Sequence, residues 1–124
     1  MRVDIKVVPH DKQRYRTVGD WWWEGDCLCV RVSELGDWRY ELLVVVHEMC
    51  EAGACRYVGT SESEVTEFDV EFEKRRKNGN TDEPGDDPMA PYAQEHCVAT
   101  GIERVLAVML GVTWKDYEER VNSL

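Results

Sequence analysis

Residues 38–57, WRYELLVVVHEMCEAGACRY, constrain the fold more than any other stretch of the chain. Taken alone, the run Leu42-Leu43-Val44-Val45-Val46 suits a buried strand. Its continuation contains no proline and no period-two alternation, and it keeps apolar or small residues at Val46, Cys50 and Ala54. That pattern favours a helix sunk into a core. Gly36-Asp37 supplies its start, with Asp37 as the expected N-cap and Trp38 to Tyr57 as the helical span. A helix this apolar has to be covered, so the rest of the chain must provide the layers around it.

Residues 2–8 (RVDIKVV) alternate roughly with period two and end at Pro9, which predicts a strand closing into a turn. Residues 16–23 (RTVGDWWW) and 26–33 (DCLCVRVS) are rich in β-formers and are separated by Glu24-Gly25, the pattern of a hairpin. In the second run Leu28, Val30 and Val32 share the face expected to be buried. Beyond the central helix, Ser61-x-x-Glu64 is a capping-box pattern for a helix over about 61–78, with Val65, Phe68 and Phe72 at helical spacing. Residues 78–91, with three prolines and four acids, predict a loop. A further helix is expected over about 91–110, with Val98, Ile102, Val105 and Met109 as its apolar stripe and Gly111 as its stop. Thr113-x-x-Asp116 starts a last short helix. Three strands followed by four helices predict an α+β fold, a small antiparallel sheet with helices on one face, in a single domain over residues 1–124.

Length and charge narrow the function. A chain of 124 residues can bury a little under about 70% of its unfolded surface, enough for a core without staples. With 25 acidic against 15 basic residues and a net charge of -10, it lacks the clustered cations that hold a phosphate backbone or an anionic membrane. The apolar run at Leu42–Val46 is far too short for a bilayer span, and no stretch near Met1 reads as a signal peptide, so a cytoplasmic protein is expected. Five cysteines, an odd number with no CxxC pair, argue against a disulfide framework or a zinc ribbon.

The chemistry concentrates in His47-Glu48-Met49-Cys50-Glu51. On a helix, positions i and i+4 lie about 5–6 Å apart at Cβ, so His47 and Glu51 can reach one cation. The order reproduces the HExxH zinc-peptidase pattern with glutamate at its second ligand position, and Glu48 becomes the general base. The alternative is a hydrogen-bonded His–Glu pair at the end of a core helix. With only three histidines in the chain, His96 is the expected third ligand. Residues 92, 96, 99 and 103 form one helical stripe, which makes Glu103 a carboxylate partner or an additional ligand. Asp69, beside the Phe68/Phe72 stripe, could orient a ligand histidine or sit as a boundary residue bonded to nearby backbone. His10 follows Pro9 in a polar turn and reads as surface. The acids of residues 82–87 lack the spacing of a calcium loop and read as solvated. Trp21, Trp22 and Trp23 alternate sides of a strand, either packing in the core or lining an edge that could accept an extended peptide. Cys50 and Cys97 adjoin candidate ligands but point about 100° away from them.

These motifs resemble a group of small bacteriophage and prophage proteins that carry an HExxEA helix, an FDxxFE-type helix, a PGDDxxAPY loop and an EHxxAxxIE helix. Here they read HEMCEA from His47, FDVEFE from Phe68, PGDDPMAPY from Pro84 and EHCVATGIE from Glu95. The resemblance covers most of residues 38–118. More distantly the chain resembles minimal zincin-like peptidases, in which an HExxH helix follows a small sheet; Glu51 stands where those have histidine. That likeness implies a zinc hydrolase. The expected activity is therefore a zinc-dependent, or other divalent-metal-dependent, hydrolase acting on a peptide or protein, with His47, Glu51 and His96 as ligands. The alternative is a catalytically inactive accessory or interaction protein with a structural metal or none.

Overall fold

All three expected strands form: β1 (Arg2–Val8), β2 (Gly19–Glu24) and β3 (Cys27–Ser33), in a computed structural model that describes residues 1–124. β2 and β3 make the predicted hairpin, closed by Gly25-Asp26. Gly25 takes φ +62°, a left-handed conformation that glycine adopts without steric cost. The sheet order is β1-β3-β2, and β1 runs parallel to β3. The sheet is thus mixed, where the sequence pattern predicted an antiparallel one. Residues 9–18 carry the chain across to the far edge before β2 reverses direction, so β3 returns into the gap between its predecessors. An amphipathic strand specifies which face is buried, but not which neighbour it pairs with.

Val3, Ile5 and Val7 pair with Leu28, Val30 and Val32, and Trp21 pairs with Val30, so one apolar face spans all three strands. As the middle strand, β3 also buries Cys29 and Ser33 on the opposite face, which the alternation left as the exposed side. Arg14 and Arg31 stack 4.3 and 5.0 Å from the centre of the Trp22 ring and help cover that second face.

Four helices follow: α1 (Trp38–Val58), α2 (Glu62–Arg75), α3 (Ala93–Met109) and α4 (Trp114–Asn122). Asp37 caps α1 as expected, accepting from the Arg39 amide at 2.9 Å, and Gly59 ends it at φ +86°. The capping box of α2 forms in both directions between Ser61 and Glu64. Thr113 does sit at the N-cap of α4, but its hydroxyl makes no capping bond. The loop between α2 and α3 contains one 3-10 turn, Pro84–Asp86. α1 lies across β2 and β3, and α3 packs along α1 rather than on the sheet. No helix is long and apolar enough to cross a membrane.

α3 corrects one expectation. Its apolar stripe faces outward: Val98, Ile102, Val105 and Met109 are 43–79% exposed. The side turned to α1 carries His96, Ala99, Glu103 and Ala107. Small alanines let the two helices approach, and the polar pair finds partners on α1 that solvent on the other face could not replace. The core itself joins Leu28, Val30 and Val32 of the sheet to Leu43, Val44 and Ala52 of α1. Leu43 is fully buried there. Leu43→Ala should therefore cost about 3 kcal/mol of unfolding free energy by urea denaturation, with no change in the spacing of the polar residues one turn further along the helix.

Candidate metal centre

α1 brings His47, Glu48 and Glu51 to its buried side, and α3 brings His96 and Glu103 to the facing side. The three expected ligands, His47, Glu51 and His96, meet at their donor atoms. Nε2 of His47 lies 3.1 Å from Nδ1 of His96 and 3.3 Å from Oε2 of Glu51, and the last two atoms are 3.0 Å apart. The edges of a tetrahedron with bonds of about 2.0–2.1 Å are about 3.3–3.4 Å long, so the triad matches one face of a zinc coordination sphere. Two imidazole nitrogens and one carboxylate oxygen also suit that ion chemically. The residues fit the metal.

The protons at this cluster make the same point. Nδ1 of His47 donates to Oε2 of Glu103 at 2.8 Å, which directs the Nε2 lone pair into the triad when the ring is neutral. Burial opposes charge on His96, but the carboxylates of Glu51 and Glu83 outweigh it and push the ring up to about 10. His47 is raised as well: burial works against its charge, and Glu103 and Glu51 more than offset this. Protons on both facing nitrogens would set two N–H groups against each other at 3.1 Å. One cation among the three atoms relieves that conflict and answers the carboxylate charge. Burial alone would raise Glu51, yet its bonds from His47, His96 and Trp21 hold it down at about 2, so it stays anionic.

Glu103 fills the partner role expected of it. Besides His47 it accepts from the Tyr117 hydroxyl of α4. Asp69 does not orient a ligand histidine and does not bond to backbone. It accepts from the hydroxyls of Tyr15, at 3.0 Å, and Tyr92. Tyr92 in turn stands edge-on to the His96 ring with centroids 6.0 Å apart, so Asp69 reaches His96 only through a packed tyrosine. His10 bonds Oγ of Ser33 and stays out of the triad.

Glu48 is the remaining predicted residue. It is buried in the same cleft, a cavity of about 350 Å³, and receives no hydrogen bond from the chain. Burial first, then the charge of Glu51, raise its pKa well above the usual 4.5. It packs against Gly19 so closely that a Cβ there would stand 2.6 Å from its Cδ.

Some contributors carried little signal in the sequence. Trp21 donates from Nε1 to Oε1 of Glu51 at 3.0 Å; the tryptophan block had marked a strand face but no partner. Tyr15 and Tyr117 arrive from a loop and from α4, and nothing in their local pattern points to the site. Glu83 and Asp86 belong to the loop read as solvated. Their side chains are exposed, yet they lie 3.0 and 3.4 Å from Nε2 of His96. A comparison with protein-family models, curated proteins and solved structures finds no match for this chain.

Two measurements check this construction. In chelator-stripped protein reloaded with zinc, His47→Ala and His96→Ala should each lose the tight ion, while Glu103→Gln should weaken it about 10–100-fold in competition with a chromophoric chelator. Asp69 gives a pH signature. Burial raises it to about 6 against the opposing bonds from Tyr92 and Tyr15. A carboxyl raised on folding favours the folded state below its ordinary value near 3.8, and this contribution is lost as pH rises through about 6. Asp69→Asn lacks that titration. Its unfolding free energy relative to the parent should therefore increase by about 3 kcal/mol between about pH 3 and pH 7.

Proposed function

We propose that this chain is a zinc-dependent hydrolase acting on a peptide or protein. The observation that carries the reading is the meeting of three buried donor atoms within 3.3 Å beside an unpaired, buried glutamate. His47, Glu51 and His96 would hold the ion, and other divalent metals accepted by imidazole and carboxylate, such as iron or manganese, remain within reach of the same donors. Zinc held this way supplies Lewis-acid polarisation of a carbonyl and brings the pKa of water down to about 7.

The work of the protein is to place and hold protons. Glu48 is the general base. With no donor occupying its carboxylate and a pKa raised by burial and by the charge of Glu51, it can take a proton from water and return it to a leaving amine. Glu51 stays ionised and cannot compete for that proton. Glu103 holds the His47 tautomer that exposes Nε2 to the triad. Support for an extended substrate comes from β2, an edge strand whose residues Gly19 to Trp21 line the cleft beside Glu48. Such an edge offers backbone hydrogen bonds to a peptide laid alongside it.

A second reading, an accessory protein with a structural metal, is favoured by the low exposure of the triad, 4–6% for its three residues. Glu48→Gln separates the two. On the hydrolase reading it keeps the zinc content of the parent and lowers turnover of an unstructured protein substrate by about 100-fold or more. Hydrolysis undiminished in that variant would remove Glu48 as the base. Gly19→Ala, which displaces the Glu48 carboxyl, should lower turnover in the same way with zinc retained.

A further inference from the structure

The centre described above uses only one nitrogen of His96. Nδ1 faces His47 and Glu51, while Nε2 points the opposite way, into the loop before α3. The residue is 6% exposed, and Nε2 has no hydrogen-bond partner. Two carboxylate oxygens nevertheless stand close to it, Oε2 of Glu83 at 3.0 Å and Oδ1 of Asp86 at 3.4 Å. The distances suit a hydrogen bond and the alignment does not. Nε2 thus stands within ion-pair distance of two acids without an aligned hydrogen bond to either, and the three donor atoms converge as the ligands of one cation would.

The backbone is shaped to this contact. Gly85, between the two acids, is buried against the imidazole, and a Cβ on it would stand 2.7 Å from Cδ2 of His96. The 3-10 turn Pro84–Asp86 therefore lies directly on the ring and sets Glu83 and Asp86 at its outer nitrogen. No larger residue at position 85 would allow that approach.

We infer that Glu83, Asp86 and Nε2 of His96 form a second divalent-metal site, with His96 bridging two ions through the opposite nitrogens of one ring. The three donor atoms lie within 4.8 Å of one another. Two carboxylates, one imidazole and an open solvent side suit zinc or manganese. The inference rests on the zinc reading in one respect, that His96 is shared. When both ions are bound, the second takes the Nε2 lone pair, the ring's remaining proton leaves to solvent, and the bridge is an imidazolate. With side chains 55% and 64% exposed, Glu83 and Asp86 make this the weaker and more exchangeable of the two sites. An ion there ties the acidic loop, which lines the cleft, to the first turn of α3.

Zinc alone, titrated into the chelator-stripped full chain and counted by elemental analysis after dialysis, tests the inference. The parent should bind two ions per chain with unequal affinity. The Glu83→Gln/Asp86→Asn variant should bind one, with the affinity of the tighter parent ion, and Glu51→Gln should retain the weaker ion while losing the tighter. Circular dichroism establishes that each variant is folded. A single ion in the parent, unchanged in the double variant, overturns the second site and leaves the first standing. A single ion that weakens in the double variant makes Glu83 and Asp86 positioning residues for His96 and overturns the second site. Two ions retained in the double variant overturn the choice of ligands, and no ion in the parent overturns both readings.

Discussion

The structure turns on charge buried between two helices. α1 and α3 meet through His47, Glu51, His96 and Glu103, all of them buried. Isolated charges are too costly in such a place, and they persist only when each has a partner. Here each does: Glu103 takes the His47 Nδ1 proton, and Glu51 takes bonds from His47, His96 and Trp21. This demand explains the orientation of α3, which turns its polar residues inward and leaves valines and a methionine to solvent. A purely apolar interface would have rotated that helix the other way.

Around the four charged residues runs a shell of aromatic hydroxyls and one indole. Tyr117 fixes Glu103, Trp21 fixes Glu51, and Tyr15 and Tyr92 hold Asp69, with Tyr92 packed against His96. Trp21 of β2 and Tyr117 of α4 bond the centre directly, while Tyr15 and Tyr92, from two loops, bond Asp69 of α2 beside it. The sheet has a second role. It buries α1 from below through Leu28, Val30 and Val32, and its edge strand β2 sets Gly19 against Glu48. Glu48 differs from its neighbours in receiving no hydrogen bond from the chain, and burial and the nearby charge of Glu51 raise its pKa.

Much of the centre was legible from residues 47–51 because helical spacing is local: i and i+4 share a face whatever else the chain does. The scarcity of histidine then pointed to His96, and the period of its helix pointed to Glu103. The same local logic failed for the apolar stripe at Val98, Ile102, Val105 and Met109, since periodicity finds an amphipathic face without saying which partner the opposite face has. It failed too for the acids at 83 and 86, whose composition reads as a solvated loop until Gly85 brings the turn onto the His96 ring.

By itself, the order of residues determined the α+β class, the seven main elements, the hairpin at Gly25, the caps at Asp37 and Ser61 and the i, i+4 pairing of His47 with Glu51. Each of these depends on neighbours within a few positions, where backbone geometry is the same in every protein. Only the tertiary structure decided that β1 lies parallel to β3, that α3 turns its polar face to α1, and that Trp21, Tyr117, Tyr92 and Glu83 surround the centre. Those outcomes come from pairing, rotation and approach between distant segments. They are set by the joint requirement to bury apolar surface and to pair the charges that meet between α1 and α3, and no single segment of the chain contains that requirement.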